Sequence, residues 1–258
     1  MKLCANISLM FTEVPLVERL QQAKDAGFDA VEIQFPYEVP LDVLVQAKES
    51  AEVDVVLINV PAGDLMSGGE GLASVPELTD SYSDALAQCL DYAKALNVSV
   101  VNVLAGRCKN EERLDAYRKT FEWNLTRTAD ALAEIGVVAV FEAINVKDMP
   151  GFVIHRAEQM WSVMSRLEHQ NIKAQYDLYH MAMMGENLWH DLSTQSHLIG
   201  HIQFADMPGR GEPGTGGLAF KKLFSMIEES NYQGFVGAEY KPTQVTESTL
   251  DWMVKVLP

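Results

Sequence analysis

A chain of 258 residues, 48% of them hydrophobic, can bury a large core, yet it contains no apolar run approaching the ~18 residues of a membrane span. Acids outnumber bases 36 to 20, and the net charge of −16 argues against a protein that grips nucleic acid, which needs a basic face to neutralise phosphates. Three scattered cysteines (Cys4, Cys89, Cys108) form neither a disulfide framework nor a Cys-x-x-Cys pair, and Lys2 leads straight into a strand-like run, so a reduced, cytoplasmic setting is expected.

Short β-like runs alternate with helical ones along the chain. Leu3–Ser8 reads as the first strand, and Leu16, Leu20, Ala23 and Ala26 recur at helical spacing until Gly27, a good helix stop. Ala30–Phe35, Val55–Val60, Val98–Leu104, Val137–Ala143, Ile172–Asp177, Ile199–Ala205 and Phe235–Glu239 follow as strands. Between them lie helical runs at Leu41–Ala51, Val75–Leu96, Glu111–Ile135, His155–Leu167, Leu188–Gln195 and Phe220–Ser230, with Glu247–Val256 as a closing helix. Eight strand–helix units without a Pro/Ser-rich linker predict one α/β domain over residues 1–258, a single (β/α)8 TIM barrel. The rival, an open doubly wound sheet, lacks a Gly-x-Gly-x-x-Gly after its first strand.

In such a barrel the C-terminal strand ends form the active face, which here collects Glu32, Asn59, Glu142, Asp177, Gln203 and Glu239. Carboxylates held close together repel unless a cation or a proton intervenes, and oxygen donors suit Mg²⁺ or Mn²⁺. The plain alternative for each acid is a Lys or Arg partner or a helix cap. His180, expected where strand six opens into a loop, is a candidate to orient a substrate hydroxyl or move a proton, and His201 to support the site from a deeper layer. Pro61–Gly71 has the glycines of a mobile lid. Gly209–Gly217 follows strand seven, where barrels often bind phosphate, but lacks the Lys-Ser/Thr of a nucleotide loop. Arg107, Arg210 and Lys241 are the cations placed to meet an anionic substrate, with Arg preferred for a bidentate contact.

Phe-Glu-Ala-Ile-Asn (141–145), Gln-Tyr-Asp-Leu-Tyr-His-Met (175–181), Gly-His-Ile-Gln-Phe-Ala-Asp (200–206), Gly-Arg-Gly-Glu-Pro-Gly-Thr-Gly (209–216) and Gly-Ala-Glu-Tyr-Lys-Pro (237–242) together resemble the hydroxypyruvate isomerases, a branch of the xylose-isomerase-like TIM barrels. Gln34-Phe-Pro-Tyr37 and Asn59-Val-Pro-Ala-Gly-Asp64 extend the likeness over nearly the whole chain. It departs at Ile58, where relatives tend to carry His, at Val146-Lys147, and at Gly217 in place of a common Glu. The resemblance implies that Glu142, Asp177, Gln203 and Glu239 bind a divalent metal, Mg²⁺ or Mn²⁺. It also implies that Glu142 and Glu239 act as the acid–base pair and that His180 touches substrate. The implied reaction is the isomerisation of hydroxypyruvate to tartronate semialdehyde through an enediolate. A 2-oxo-tetronate isomerase and a ketose 3-epimerase are the alternatives on the same barrel, so the expected partner is a small 2-keto acid or a sugar-like substrate. An abasic-site endonuclease and a metal-free binding protein fit the charge and the intact acid set less well. Both a monomer and a homo-oligomer remain open.

Overall fold

The structure, a computed structural model, describes residues 1–230 and 232–257. In chain order it runs β1 (Lys2–Asn6), α1 (Leu16–Asp25), β2 (Ala30–Ile33), α2 (Leu41–Ala51), β3 (Asp54–Asn59), α3 (Thr79–Leu96), β4 (Val100–Asn102) and α4 (Leu114–Ala133). The second half is β5 (Val138–Glu142), α5 (Ala157–Leu167), β6 (Ile172–Asp177), α6 (Leu178–Met183), α7 (Leu188–Gln195), β7 (Ile199–Phe204), α8 (Phe220–Glu229), β8 (Phe235–Ala238) and α9 (Trp252–Lys255). The eight strands pair in sequence order, all parallel, and β1 closes on β8. This is the expected (β/α)8 barrel. Gly27 at φ 95° and Gly136 at φ 72° end α1 and α4 in the left-handed region that favours glycine.

Strand alternation fixes the site-bearing side chains from behind. On β5, β6 and β7 an aromatic residue next to the site residue points outward and packs on the helical layer. Phe141 meets Phe121 of α4 with ring centroids 5.7 Å apart, Tyr176 stacks on Trp161 of α5 at 6.2 Å, and Phe204 meets Phe224 of α8 at 5.1 Å. Because successive strand side chains alternate faces, Glu142, Asp177 and Gln203 are thereby turned into the barrel. After β8, Tyr240 plays the same part against Trp252 of α9, at 6.5 Å, for its neighbour Glu239.

Two elements differ from the sequence reading. Asp177 and His180 do not enter a loop; the chain turns at once into α6, with the Asp177 carboxylate accepting the Tyr179 N–H at 2.8 Å as an N-cap. Six residues are too few for a helical period to register in sequence, and burial of Leu178, Tyr179 and Met181 supplies the stability instead. The closing helix is shorter than Glu247–Val256. Thr246 is held by Glu13 through its backbone N–H at 2.7 Å, and a 3-10 turn over Thr246–Thr249 delays α9 to Trp252.

Gly237 on β8 faces the buried Glu32 carboxylate, and a Cβ there would stand 1.6 Å from Glu32 Oε1. That carboxylate is pinned by Cys4, His201 and Gln203, so it has little freedom to retreat. Gly237→Ala is therefore expected to lower unfolding stability by about 1–3 kcal/mol, the usual scale of overpacking. Denaturant unfolding checks this, and an unchanged midpoint would mean that Glu32 moves aside freely.

Candidate active site

Glu142 and Asp177 end β5 and β6, Gln203 lies on β7 in register with Asp177, and Glu239 directly follows β8. All four are at most 5% exposed. Glu142 and Glu239 accept hydrogen bonds from neutral amides on other strands and loops. Asn102 of β4 donates Nδ2–H to Glu142 Oε1 at 2.7 Å. Asn6 of β1 and Gln34 after β2 donate to Glu239 Oε1 at 2.9 and 2.8 Å. Gln203 donates Nε2–H to Glu32 Oε2 at 2.5 Å and accepts from Gln175 Nε2 at 2.6 Å. Below it, Cys4 and His201 reach Glu32 Oε1 at 3.5 and 3.3 Å. His201 thus lies in the layer below, against Glu32.

Arg210 is the one cation within this acid cluster among the described residues. Its Nη2 pairs with Glu239 Oε2 and lies 3.7 Å from Asp177 Oδ2. Burial disfavours its charge, but Glu239, Asp177 and Glu142 outweigh that and hold it cationic. One guanidinium against three buried carboxylates leaves negative charge in excess. Burial, then Glu239 and Asp177, push Glu142 well above the usual carboxylate range. Burial and Glu239 push Asp177 up to about 7 against the opposing pull of Arg210. Glu239 is raised by burial too, again opposed by Arg210. His180 goes the other way: burial and Arg210 lower it, so its imidazole is neutral.

The donor set fits a hard cation. Among the described residues, Asp177 Oδ2 is buried with no hydrogen-bond partner, and so are Asn102 Oδ1 and Gln175 Oε1 on the residues that bond Glu142 and Gln203. Ligand atoms of Glu142, Asp177 and His180 lie within 4.8 Å of one another. The deeper group of Cys4, Glu32 and His201 is equally compact. Its carboxylate is already fully engaged, however, and burial with Glu32 drives the Cys4 thiol far above its ordinary value, away from a metal-binding thiolate.

The sequence matches the family described as xylose isomerase-like TIM barrel over residues 20–256. Hydroxypyruvate isomerase of Escherichia coli K12 is 36% identical, with 98% of each chain covered. The chain belongs to the hydroxypyruvate isomerase family of these barrels. The 2-oxo-tetronate isomerase of Pectobacterium atrosepticum is similar as well, at 34% identity over 97% of this chain and 96% of its own. A crystal structure from Brucella melitensis, described as an AP endonuclease of family 2, superposes with a TM-score of 0.95 at 34% identity, covering all of both chains. The family's members with these names are isomerases, and the protein is an isomerase of this family.

Over the acid cluster of this family member opens a cavity of about 620 Å³. Of the residues expected at the site, Glu142, Glu239, Asn59, His180, Arg210 and Lys241 line it. Asp177 and Gln203 do not, Asp177 lying beside Glu142 and His180, and Gln203 in register with Asp177 but bonded to Glu32 and Gln175. Arg107 is not brought there; its Nη1 lies 3.7 Å from where a Cβ on Gly68 would stand, against the loop after β3. Met66 of that loop, 57% exposed, reaches the cavity. The glycine loop after β7 is no phosphate cradle. Its amides at Gly214, Gly216 and Leu218 already donate to the buried Asp206 carboxylate at 2.8, 2.8 and 3.0 Å. Its contribution is Arg210, held at φ 57°. Sequence reasoning missed Asn6, Asn102 and Asn145 as site residues. Asn6 and Asn102 sit at the ends of β1 and β4, the same strand-end signal that flagged Asn59.

Proposed function

We propose that the protein is a metal-dependent ketol isomerase that interconverts hydroxypyruvate and tartronate semialdehyde. Glu142, Asp177, Gln203 and Glu239 hold Mg²⁺ or Mn²⁺, and Glu142 and Glu239 are the proton-transfer pair. One observation carries this reading: Glu142 and Glu239 both line the cavity, and they share with Asp177 a buried acid cluster that one guanidinium leaves under-neutralised. A bound divalent cation supplies Lewis-acid polarisation of the substrate oxygens and charge for the developing enediolate.

The remaining chemistry belongs to the chain's own groups. One glutamate removes a proton from the hydroxymethyl carbon beside the ketone. The C–H electron pair becomes the C=C bond of the enediolate, and the ketone oxygen takes up charge. The other glutamate returns a proton to the former carbonyl carbon while the hydroxymethyl hydroxyl passes its proton to the former ketone oxygen, so that the first oxygen becomes the aldehyde and the second the hydroxyl. Atoms and charge balance with no outside redox partner. General acid–base help of this kind is worth about 10²–10⁴-fold. A neutral His180 suits donation to a substrate oxygen, and Leu104, Ile144 and Met149 give the wall an apolar part.

The substrate carboxylate falls to Lys241. Arg210 is committed to Glu239 and Asp177, Arg107 points elsewhere, and the Lys241 ammonium has no ion pair among the described residues. Losing a charge-assisted hydrogen bond costs about 1.5–3 kcal/mol. Lys241→Met is thus expected to raise KM for a 2-oxo acid roughly 10- to 100-fold and to leave a neutral ketose unaffected; equal KM values in variant and wild type would remove this role.

The longer 2-oxo-tetronate is the second reading, favoured by the cavity. At about 620 Å³ it falls within the ~300–1,000 Å³ range of pockets for drug-sized ligands, and a three-carbon acid fills only part of it. Cleavage of a DNA backbone is disfavoured by the net charge of −16. Assays of hydroxypyruvate, 2-oxo-tetronate and a free ketose, after chelation and after metal add-back, test the proposal. Metal-dependent turnover of a 2-oxo acid is expected; turnover of the ketose alone would overturn it.

A further inference from the structure

His180 presents an ambiguity that its surroundings resolve. Its Nε2 lies 3.5 Å from Asp177 Oδ2, near enough to Glu142 and Asp177 to be taken for a third metal ligand. A nitrogen that binds a metal needs a free lone pair, whereas one that assists a substrate oxygen needs a proton. The two roles require opposite tautomers of the neutral ring.

Asn145 decides between them. Its Oδ1 accepts two backbone N–H groups, from Lys147 at 3.1 Å and Asp148 at 2.9 Å, so the amide cannot be turned over without abandoning both. The NH2 group is therefore the end that faces the histidine. One of its hydrogens goes to Asp148 Oδ2 at 2.9 Å, and the other points at His180 Nδ1 at 2.7 Å. Asp148 is in turn fixed by the Tyr179 hydroxyl at 2.8 Å. An amide nitrogen cannot accept a hydrogen bond, so a proton on Nδ1 would face another proton. Nδ1 must carry the lone pair, and the ring proton must sit on Nε2.

We propose that Asn145 is a positioning residue that locks His180 as the Nε2–H tautomer, which bars it from the metal and aims a single proton donor at a substrate oxygen. A ring whose Nδ1 faces an amide N–H cannot carry protons on both nitrogens, so its single proton is the one on Nε2. The inference rests on the reading of this cavity as the substrate site, but its test does not depend on turnover.

The test is ¹⁵N NMR of the histidine ring nitrogens in the full-length protein, with His180 identified by the signals lost in His180→Gln. Wild type is expected to show a pyridine-like Nδ1 and a pyrrole-like Nε2, unchanged when Mg²⁺ is added. In Asn145→Asp the new carboxylate accepts from the ring, and the pattern should reverse. In Asn145→Ala, which avoids a second carboxylate beside Asp148, it should relax to a mixture of tautomers. Turnover in Asn145→Ala should fall by up to about 10²-fold, the scale of losing one oxyanion donor, mainly in kcat. A pyrrole-like Nδ1 in wild type would overturn the proposal, as would an Asn145→Ala spectrum identical to wild type. If neither 2-oxo acid is turned over while the NMR pattern holds, the proposed function fails and the tautomer lock stands.

Discussion

Glu142→Gln and Glu239→Gln are each expected to lose turnover by about 10²–10⁴-fold, the full contribution of a positioned acid–base group, but with opposite effects on stability. Glu142 is raised by burial and by its acidic neighbours, and its direct donor among the described residues is the Asn102 amide. Replacing it with a neutral isostere relieves repulsion, so the metal-free variant should unfold no more readily than wild type. Glu239 is different. Its Oε1 accepts from Asn6 and Gln34, and its Oε2 pairs with Arg210. An amide at this position must turn its NH2 toward one set of donors or the other, and it leaves Asp177 as the carboxylate nearest Arg210 among the described residues. Breaking a buried ion pair from one side typically costs about 3–5 kcal/mol, so Glu239→Gln should be clearly less stable. Paired measurements of turnover and denaturant unfolding check both halves. Near-normal turnover in either variant would remove that glutamate from the chemistry, and equal stability losses would mean that Arg210 does not depend on Glu239.

The barrel was legible because its signals are redundant: eight β-rich runs, glycine stops such as Gly27 and Gly136, and acids at the ends of strands. Glu142, Asp177 and Gln203 stood out because a polar residue at the end of an apolar run is conspicuous. What could not be read is what depends on neighbours distant in sequence. Asn6 and Asn102 look like ordinary strand-end residues, and only the closure of β1 on β8 and the pairing of β4 with β5 bring them to Glu239 and Glu142. The fate of the arginines was equally hidden. Arg107 and Arg210 both sit in loops beside active-face strands, yet one is drawn to the loop carrying Gly68 and the other into the acid cluster. The glycine loop after β7 carries the composition of an anion site, and Asp206, five residues ahead of its second glycine, uses up the amides that would have served one. Local pattern reports which residue types lie at the active face; tertiary closure decides which of them are already spent.

Without metal, the protein is expected to lose stability as pH rises toward and through about 7, and added Mg²⁺ or Mn²⁺ should reverse that loss. Asp177 is raised from its ordinary 3.8 to about 7 in the folded chain, and Glu142 and Glu239 are raised from 4.5. Across the window between the ordinary and folded values, the folded state holds protons that the unfolded chain has released. Stability then falls with rising pH, because its slope follows the protons bound by the unfolded state minus those bound by the folded one. The contribution is complete below the unfolded values and is lost as the folded carboxylates ionise beside one another. His180, lowered well below its ordinary 6.5, acts in the opposite sense, but one histidine stands against three carboxylates and ceases to contribute above that value. A change of one in pKa corresponds to about 1.4 kcal/mol, so the swing is on the order of a few kcal/mol. A divalent cation competes with those protons for the same oxygens, so its affinity should climb over the same window and the slope should flatten when it is present. At a hundred times its Kd the cation adds about 2.7 kcal/mol. Thermal melts across this range, with chelator and with each metal, test the linkage. A chelated protein whose stability rises through the Asp177 value, or one whose slope ignores the cation, would mean that these carboxylates are neutralised from within the chain and that the cluster is not built to hold a metal.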